Sequence, residues 1–132
     1  MTLITPTYAA LLTILFIGLS VRTIKQRFRH HVSIGDGGKP ELARAIRAHA
    51  NFAEYVPLAL LLIWMTETLA YPSWVIHLLG ATLLVGRFSH AYGIMQVKAD
   101  LRFRKFGMLM TFLVLLSAAV LLLVSPALPV AG

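Results

Sequence analysis

Apolar residues gather in four long stretches, and polar residues mark the links between them. The first stretch is "PTYAALLTILFIGLSV", Pro6 to Val21. The second runs from Phe52 to Leu69. The third is "WVIHLLGATLLVG", Trp74 to Gly86, with helical periodicity continuing to Met95. The fourth is "FGMLMTFLVLLSAAVLLLV", Phe106 to Val124. A helix that crosses a bilayer needs roughly 20 mostly apolar residues. The fourth stretch meets this alone, and the others do so once their polar ends are included. Lipid admits only helices or closed barrels, and no ten-residue alternation supports a barrel. The pattern predicts an all-α membrane protein, a four-transmembrane-helix bundle forming one domain over 1–132, with helices at about 5–26, 41–69, 72–96 and 102–125. Between them, "GDGGKP" is a turn signal and Pro72 is placed to start the third helix. Basic residues follow the first stretch rather than precede it, so it does not read as a cleavable leader.

Composition agrees with this class. The chain has 132 residues, of which 58% are hydrophobic and only 13% charged. A soluble domain carries about 25% charged residues. There is no cysteine, which excludes disulfides, thiolate metal sites and a protein-borne thiol nucleophile. Any thiol chemistry must use a thiol brought by the substrate. A net charge of +7 in a soluble protein would point to nucleic acid. Here its distribution reports topology. Seven of the twelve Lys and Arg lie between Arg22 and Arg47, and five between Arg87 and Lys105. All twelve fall on one side of a four-span chain. The positive-inside rule puts that side in the cytoplasm, with both termini outside.

The candidate chemistry sits in "RAIRAHANFAEYVPLALLLIWM", where an apolar helix begins with charged turns. At 100° per residue, Arg44, Arg47, Asn51 and Glu54 fall within an arc of about 80°. His49 projects almost opposite. On the third helix Arg87 and His90 share a face that Ile94 and Lys98 continue, and Tyr92 points away. Glu54 and Arg87 each lie thirteen residues from the outer end of their helix, which places both roughly 20 Å above that boundary. A lone charge there costs several kcal/mol. The expectation is a Glu54–Arg87 ion pair at the floor of a cytoplasm-facing cavity, with cations at its mouth.

Arg22, Arg44, Lys98, Arg102, Arg104 and Lys105 taken singly are what interfacial anchors look like. Arg47, Asn51, Glu54, Arg87 and His90 as a set are not, because ionisable residues inside a membrane are functional by default. His49 reads as a packing or loop residue, His77 as a helix–helix hydrogen-bonding residue, and His30 and His31 as loop residues. Pro57 frees a carbonyl one turn earlier and is placed to kink the second helix. A cationic pocket of this kind suits an anionic, partly peptide-like ligand. Arginine takes a carboxylate bidentately, Asn51 suits an amide, and Glu54 suits an ammonium or holds an arginine. No metal set, nucleophilic triad or phosphate loop is present in the pattern.

"RAHANFAEYVP" (Arg47 to Pro57) and "GRFSHAYG" (Gly86 to Gly93) resemble the two signature segments of the MAPEG family, membrane-associated proteins in eicosanoid and glutathione metabolism. They stand in the family's order on the second and third spans, and the likeness to its small bacterial branch covers essentially the whole chain. The resemblance implies a homotrimer in a bacterial inner membrane, with glutathione as co-substrate between neighbouring subunits. It implies that Arg47, Asn51, Glu54, Arg87 and His90 bind glutathione, and that Arg22 contributes from the adjacent subunit. It implies a catalytic arginine at the start of the fourth helix, Arg102 or Arg104, and a lipophilic partner substrate. The chain departs from the eicosanoid enzymes at Ile94 and Phe106, where they carry tyrosines. Both hydroxyls are absent, which bears on catalysis more than on binding. The expected function is glutathione transfer to lipophilic electrophiles through an arginine-stabilised thiolate, with peroxidase chemistry on lipid hydroperoxides as a variant. Two other classes stay open: a non-enzymatic membrane scaffold that binds lipid or a partner protein, and a small transporter. Neither a metal nor nucleic acid is expected.

Overall fold

A computed structural model describes residues 3–98 and 100–125. Four helices follow one another: α1 (Thr5–His30), α2 (Pro40–Thr68), α3 (Ser73–Met95) and α4 (Leu101–Val124). The described residues contain no strand. Their hydrophobic faces close an all-α membrane bundle. α1, α2 and α4 are long and apolar enough to cross a bilayer. α3 does not meet that standard of apolarity, yet its 23 residues extend about 35 Å against a hydrocarbon core of about 30 Å. Its two most polar mid-helix residues, Arg87 and His90, face the protein interior.

Local sequence sets most helix ends. Pro40 opens α2, where its missing N–H is no loss. Asp100 caps α4 by accepting from the Arg102 backbone N–H at 3.0 Å. α1 runs four residues past its expected end at 26. His30 is therefore its last residue and faces Glu41 at 3.9 Å, a correction to its expected place in a loop. His31 ends the helix in the left-handed conformation (φ 54°), and its N–H returns to the last turn. α2 continues through Pro57 without interruption.

α2 and α3 form the centre of the bundle. α1 packs on α2 and α3, and α4 packs on α3 and α2. Among the described residues α1 and α4 do not pack together. Leu12, Phe52, Val56, Ile63, Leu83 and Val114 are part of one continuous core. α3 and α4 approach closely at Gly86 and Gly107. A Cβ on Gly107 would run into the Gly86 carbonyl oxygen and lie 2.7 Å from the His90 backbone nitrogen. His49 stacks on Phe16 with ring centroids 4.8 Å apart, so it packs α2 against α1. The Tyr8 hydroxyl meets His77 Nδ1 at 3.0 Å, which is the expected helix–helix bond of His77.

One helix end is capped from another helix. The residue before α1 is Ile4, which has no side-chain acceptor. The Glu67 carboxylate at the far end of α2 instead accepts from the Ile4 N–H and from the Thr5 N–H at 2.9 Å. Glu67 is only 5% exposed, and its charge also complements the positive end of the α1 dipole. Glu67→Ala is expected to destabilise the protein by about 2 kcal/mol, the sum of a lost cap and two orphaned donors. Thermal unfolding in detergent measures this, and Glu67→Gln should recover part of the loss because it keeps one acceptor.

Candidate functional site

Arg87 is the largest fully buried side chain among the described residues, at 1% exposure. Helical spacing turns it inward from α3, and three helices supply its neighbours. Its Nη2 donates to Asn51 Oδ1 on α2 at 2.6 Å. Its Nη1 lies 3.5 Å from Thr111 Oγ1 and 3.8 Å from Met108 Sδ, both on α4. Phe52 lies beneath the guanidinium, with the ring centroid 5.8 Å from Cζ. Thr111 in turn donates to the Gly107 carbonyl at 2.8 Å, which fixes its hydroxyl. Arg87 Nε has no partner among the described residues, and none of their carboxylates forms an ion pair with Arg87.

This arrangement orients two further side chains. A guanidinium only donates, so it holds the Asn51 oxygen inward and leaves the Asn51 amide N–H groups to serve as donors. His90 is 3% exposed, and its Nδ1 lies 3.5 Å from Arg87 Nη2. A guanidinium only donates, so the contact suits Nδ1 as an acceptor.

The expected Glu54–Arg87 pair does not form. Glu54 instead meets Arg47, with 3.6 Å between Oε1 and Nη1. Both are about half exposed, 49% and 59%. The reason is azimuth. Arg47 and Glu54 lie two turns apart and within about 20° of each other around α2, whereas Asn51 sits about 40° to 60° further round, toward α3. Equal depth put Glu54 and Arg87 at one level without putting them face to face. The polar arc of α2 is therefore divided. Asn51 looks into the bundle, and Arg47 and Glu54 look out of it.

The remaining candidates separate as well. Arg104 is half-buried and lodged against Gly93, where a Cβ would lie 2.8 Å from the Arg104 backbone nitrogen and 3.0 Å from its Cγ. Arg102 is 93% exposed, and its Nε lies 3.8 Å from its own capping residue Asp100. Arg22 is exposed on α1, where it lines a groove of about 490 Å³ with Leu15, Lys25 and Met95. Ile94 is buried and Phe106 exposed. Tyr92 is exposed and meets Phe103 edge-on at 5.0 Å. Thr111 and Met108 were not legible as site residues. A threonine four positions after Gly107 in an otherwise apolar helix was the available signal for the first, and nothing marked the second.

A family model described as MAPEG family matches residues 5–124. Inner membrane protein YecN of Escherichia coli (strain K12) is 38% identical over 109 residues, which cover 83% of this chain and 82% of that protein. The protein of the same name from Escherichia coli O6:H1 gives the same figures.

Proposed function

This chain belongs to the MAPEG family, and on that premise we propose that it binds glutathione and transfers it to lipophilic electrophiles in a bacterial inner membrane. The observation that carries the reading is the fully buried Arg87, which no described carboxylate neutralises, in contact with Asn51 and His90. A buried, uncompensated cation is costly, and an anionic ligand beside it offsets that cost. Asn51 keeps its amide N–H groups as donors, and Arg47 and Arg104 add positive charge. Such a set suits the carboxylates and carbonyls of a small acidic peptide. Glu54, paired with Arg47, suits the peptide's ammonium group.

The chemistry needs no side-chain nucleophile, and the chain has no cysteine to offer one. A free thiol has a pKa of about 8.5 and is a poor nucleophile when protonated. An arginine at the sulfur favours the thiolate. The thiol proton passes to water. The sulfur then forms a bond to the electrophilic carbon, and the displaced electron pair leaves on the departing group or on a conjugated carbonyl oxygen, which is protonated. Arg104 is the better candidate for the arginine, because it is half-buried against Gly93, three residues from His90 on α3, whereas Arg102 is 93% exposed.

The half-exposed Arg47–Glu54 pair also supports an assembly. Charged groups facing lipid at that depth cost several kcal/mol, so a second copy covering this face of α2 relieves the protein of an expense the single chain cannot avoid. A homotrimer with the ligand between subunits meets this need. The positive-inside rule places the basic links in the cytoplasm and the termini outside.

The test is thiolate formation when glutathione is added to the purified protein, followed by ultraviolet difference absorbance. Wild type and Arg102→Ala should show the thiolate band, and Arg104→Ala should lose most of it. The absence of any arginine-dependent thiolate overturns the catalytic claim. Glutathione retained without turnover of a generic electrophile would assign the non-enzymatic binding reading, which Ile94 and Phe106 favour by lacking hydroxyls.

A further inference from the structure

We propose that the basic end of α1 is a binding site for an anionic phospholipid, built from a lipid-facing stripe that leads into a cationic pocket. Ile14, Ile17, Val21, Ile24 and Phe28 are all exposed, Phe28 at 76%. At 100° per residue they occupy one arc of about 80°, so they form a continuous apolar track along the helix. The track ends in a pocket of about 460 Å³, where Ile24 and Phe28 meet Arg27, His31, Val32 and Ser33. Lys25 flanks the other edge of the track.

Length places this pocket at the level of lipid headgroups. α1 has 26 residues and extends about 39 Å, whereas the hydrocarbon core is about 30 Å thick. With its apolar part in the core, the last two turns reach the interfacial layer. An acyl chain lies along the track, and its phosphate then stands beside Arg27, His31 and Ser33.

The pocket is pre-formed. Arg27 Nη1 donates to the carbonyls of Val32 at 3.3 Å and Gly35 at 2.9 Å, which ties the link after α1 back onto the helix. These bonds use one of its three nitrogens. Gly37 holds a left-handed conformation (φ 57°), and a Cβ there would press on the Val32 side chain, so the link is closely packed. A closely packed link that leaves Ile34 89% exposed is unfavourable in water and favourable in a membrane interface.

Charge selects the lipid class. Residues 22–47 contain seven basic and two acidic side chains, a net charge of +5. Both acids are engaged: Asp36 accepts from the Gly38 N–H at 2.9 Å, and Glu41 faces His30. A net negative headgroup therefore finds attraction that a zwitterionic one does not. The site is separate from the Arg87 cluster and stands whether or not glutathione binds there.

The experiment offers the full-length protein in neutral detergent equal amounts of phosphatidylglycerol and phosphatidylcholine with matched chains. Retained lipid is counted by native mass spectrometry. Wild type should prefer phosphatidylglycerol by roughly fivefold or more, the ratio one headgroup–cation contact supplies near a membrane surface. Phe28→Asp, at an exposed position, should abolish the preference. Lys25→Gln should reduce it severalfold, and Lys105→Gln, which removes the same charge from α4, a helix that does not pack on α1 among the described residues, should leave it unchanged. Equal retention of the two lipids overturns the proposal, as does a preference that survives Phe28→Asp. Displacement of phosphatidylglycerol by inorganic phosphate overturns it in favour of a simple anion site. Dissociation of an oligomer by Phe28→Asp without a change in lipid retention assigns the face to a second copy.

Discussion

Arg87→Ala is expected to lower stability by about 3–5 kcal/mol and to abolish glutathione retention. Two costs add. The vacated space is closed off by Phe52, Met108 and Thr111, so a cavity remains, at about 2–4 kcal/mol for a large buried side chain. Asn51 Oδ1 loses its partner at a buried position, at about 1–3 kcal/mol. Removal of a buried, uncompensated charge offsets part of this sum. Arg87→Met separates the contributions. It refills the space with a flexible apolar chain and is expected to restore most of the stability. It cannot hold the Asn51 oxygen inward, so the amide is free to turn and the ligand meets an unfixed group. Binding should therefore stay weak in Arg87→Met. Denaturation midpoints and glutathione binding, measured on both variants, check this. A methionine variant that binds like wild type would show that Arg87 acts only through packing.

Gly107→Val is the other substitution with a large expected effect, and it tests the scaffold of the same site. At this position α4 lies against the backbone of α3. A side chain there meets the Gly86 carbonyl oxygen and the His90 backbone nitrogen and Cβ. None of these is the end of a flexible chain, so the helices must separate. Separation breaks the pairing that also carries the contact between Arg87 and Thr111. Overpacking by one methyl typically costs about 1–3 kcal/mol, and a branched chain against rigid backbone should exceed that range. Gly107→Ala is expected to lose about 2–3 kcal/mol, and Gly107→Val to give little folded protein in detergent. Gly18→Ala serves as the control. A Cβ there meets nothing within 4 Å, so the expected change is a gain of about 0.5–1 kcal/mol from helix propensity. Size-exclusion yield and thermal melting distinguish the three.

Much of the architecture was legible because membrane helices advertise themselves. Length, apolarity and the placement of Lys and Arg are properties of contiguous sequence, and each of the four expected helices overlaps its observed counterpart closely. That Arg87 and His90 share one face of α3 was also legible, because helical spacing fixes which residues share a face, whereas the same spacing grouped Asn51 with Arg47 and Glu54, which the structure turns outward. Glu67 shows the other limit. Its position in the sequence says only that it stands near the end of α2. Its role as the cap of α1 spans more than sixty residues of sequence and depends on how two helix ends meet.

Sequence by itself determined the helices and the chemical inventory of the polar band. Only the tertiary structure decided the partners. Helical periodicity fixes angles within one helix and says nothing of how one helix is rotated against the next. That rotation is set by packing, here by Gly86 against Gly107 and by the core beneath them. It turned Arg87 toward Asn51 and Thr111 and left Glu54 facing outward with Arg47. A pair that matched in depth was thereby separated, and a buried cation was left without a carboxylate among the described residues.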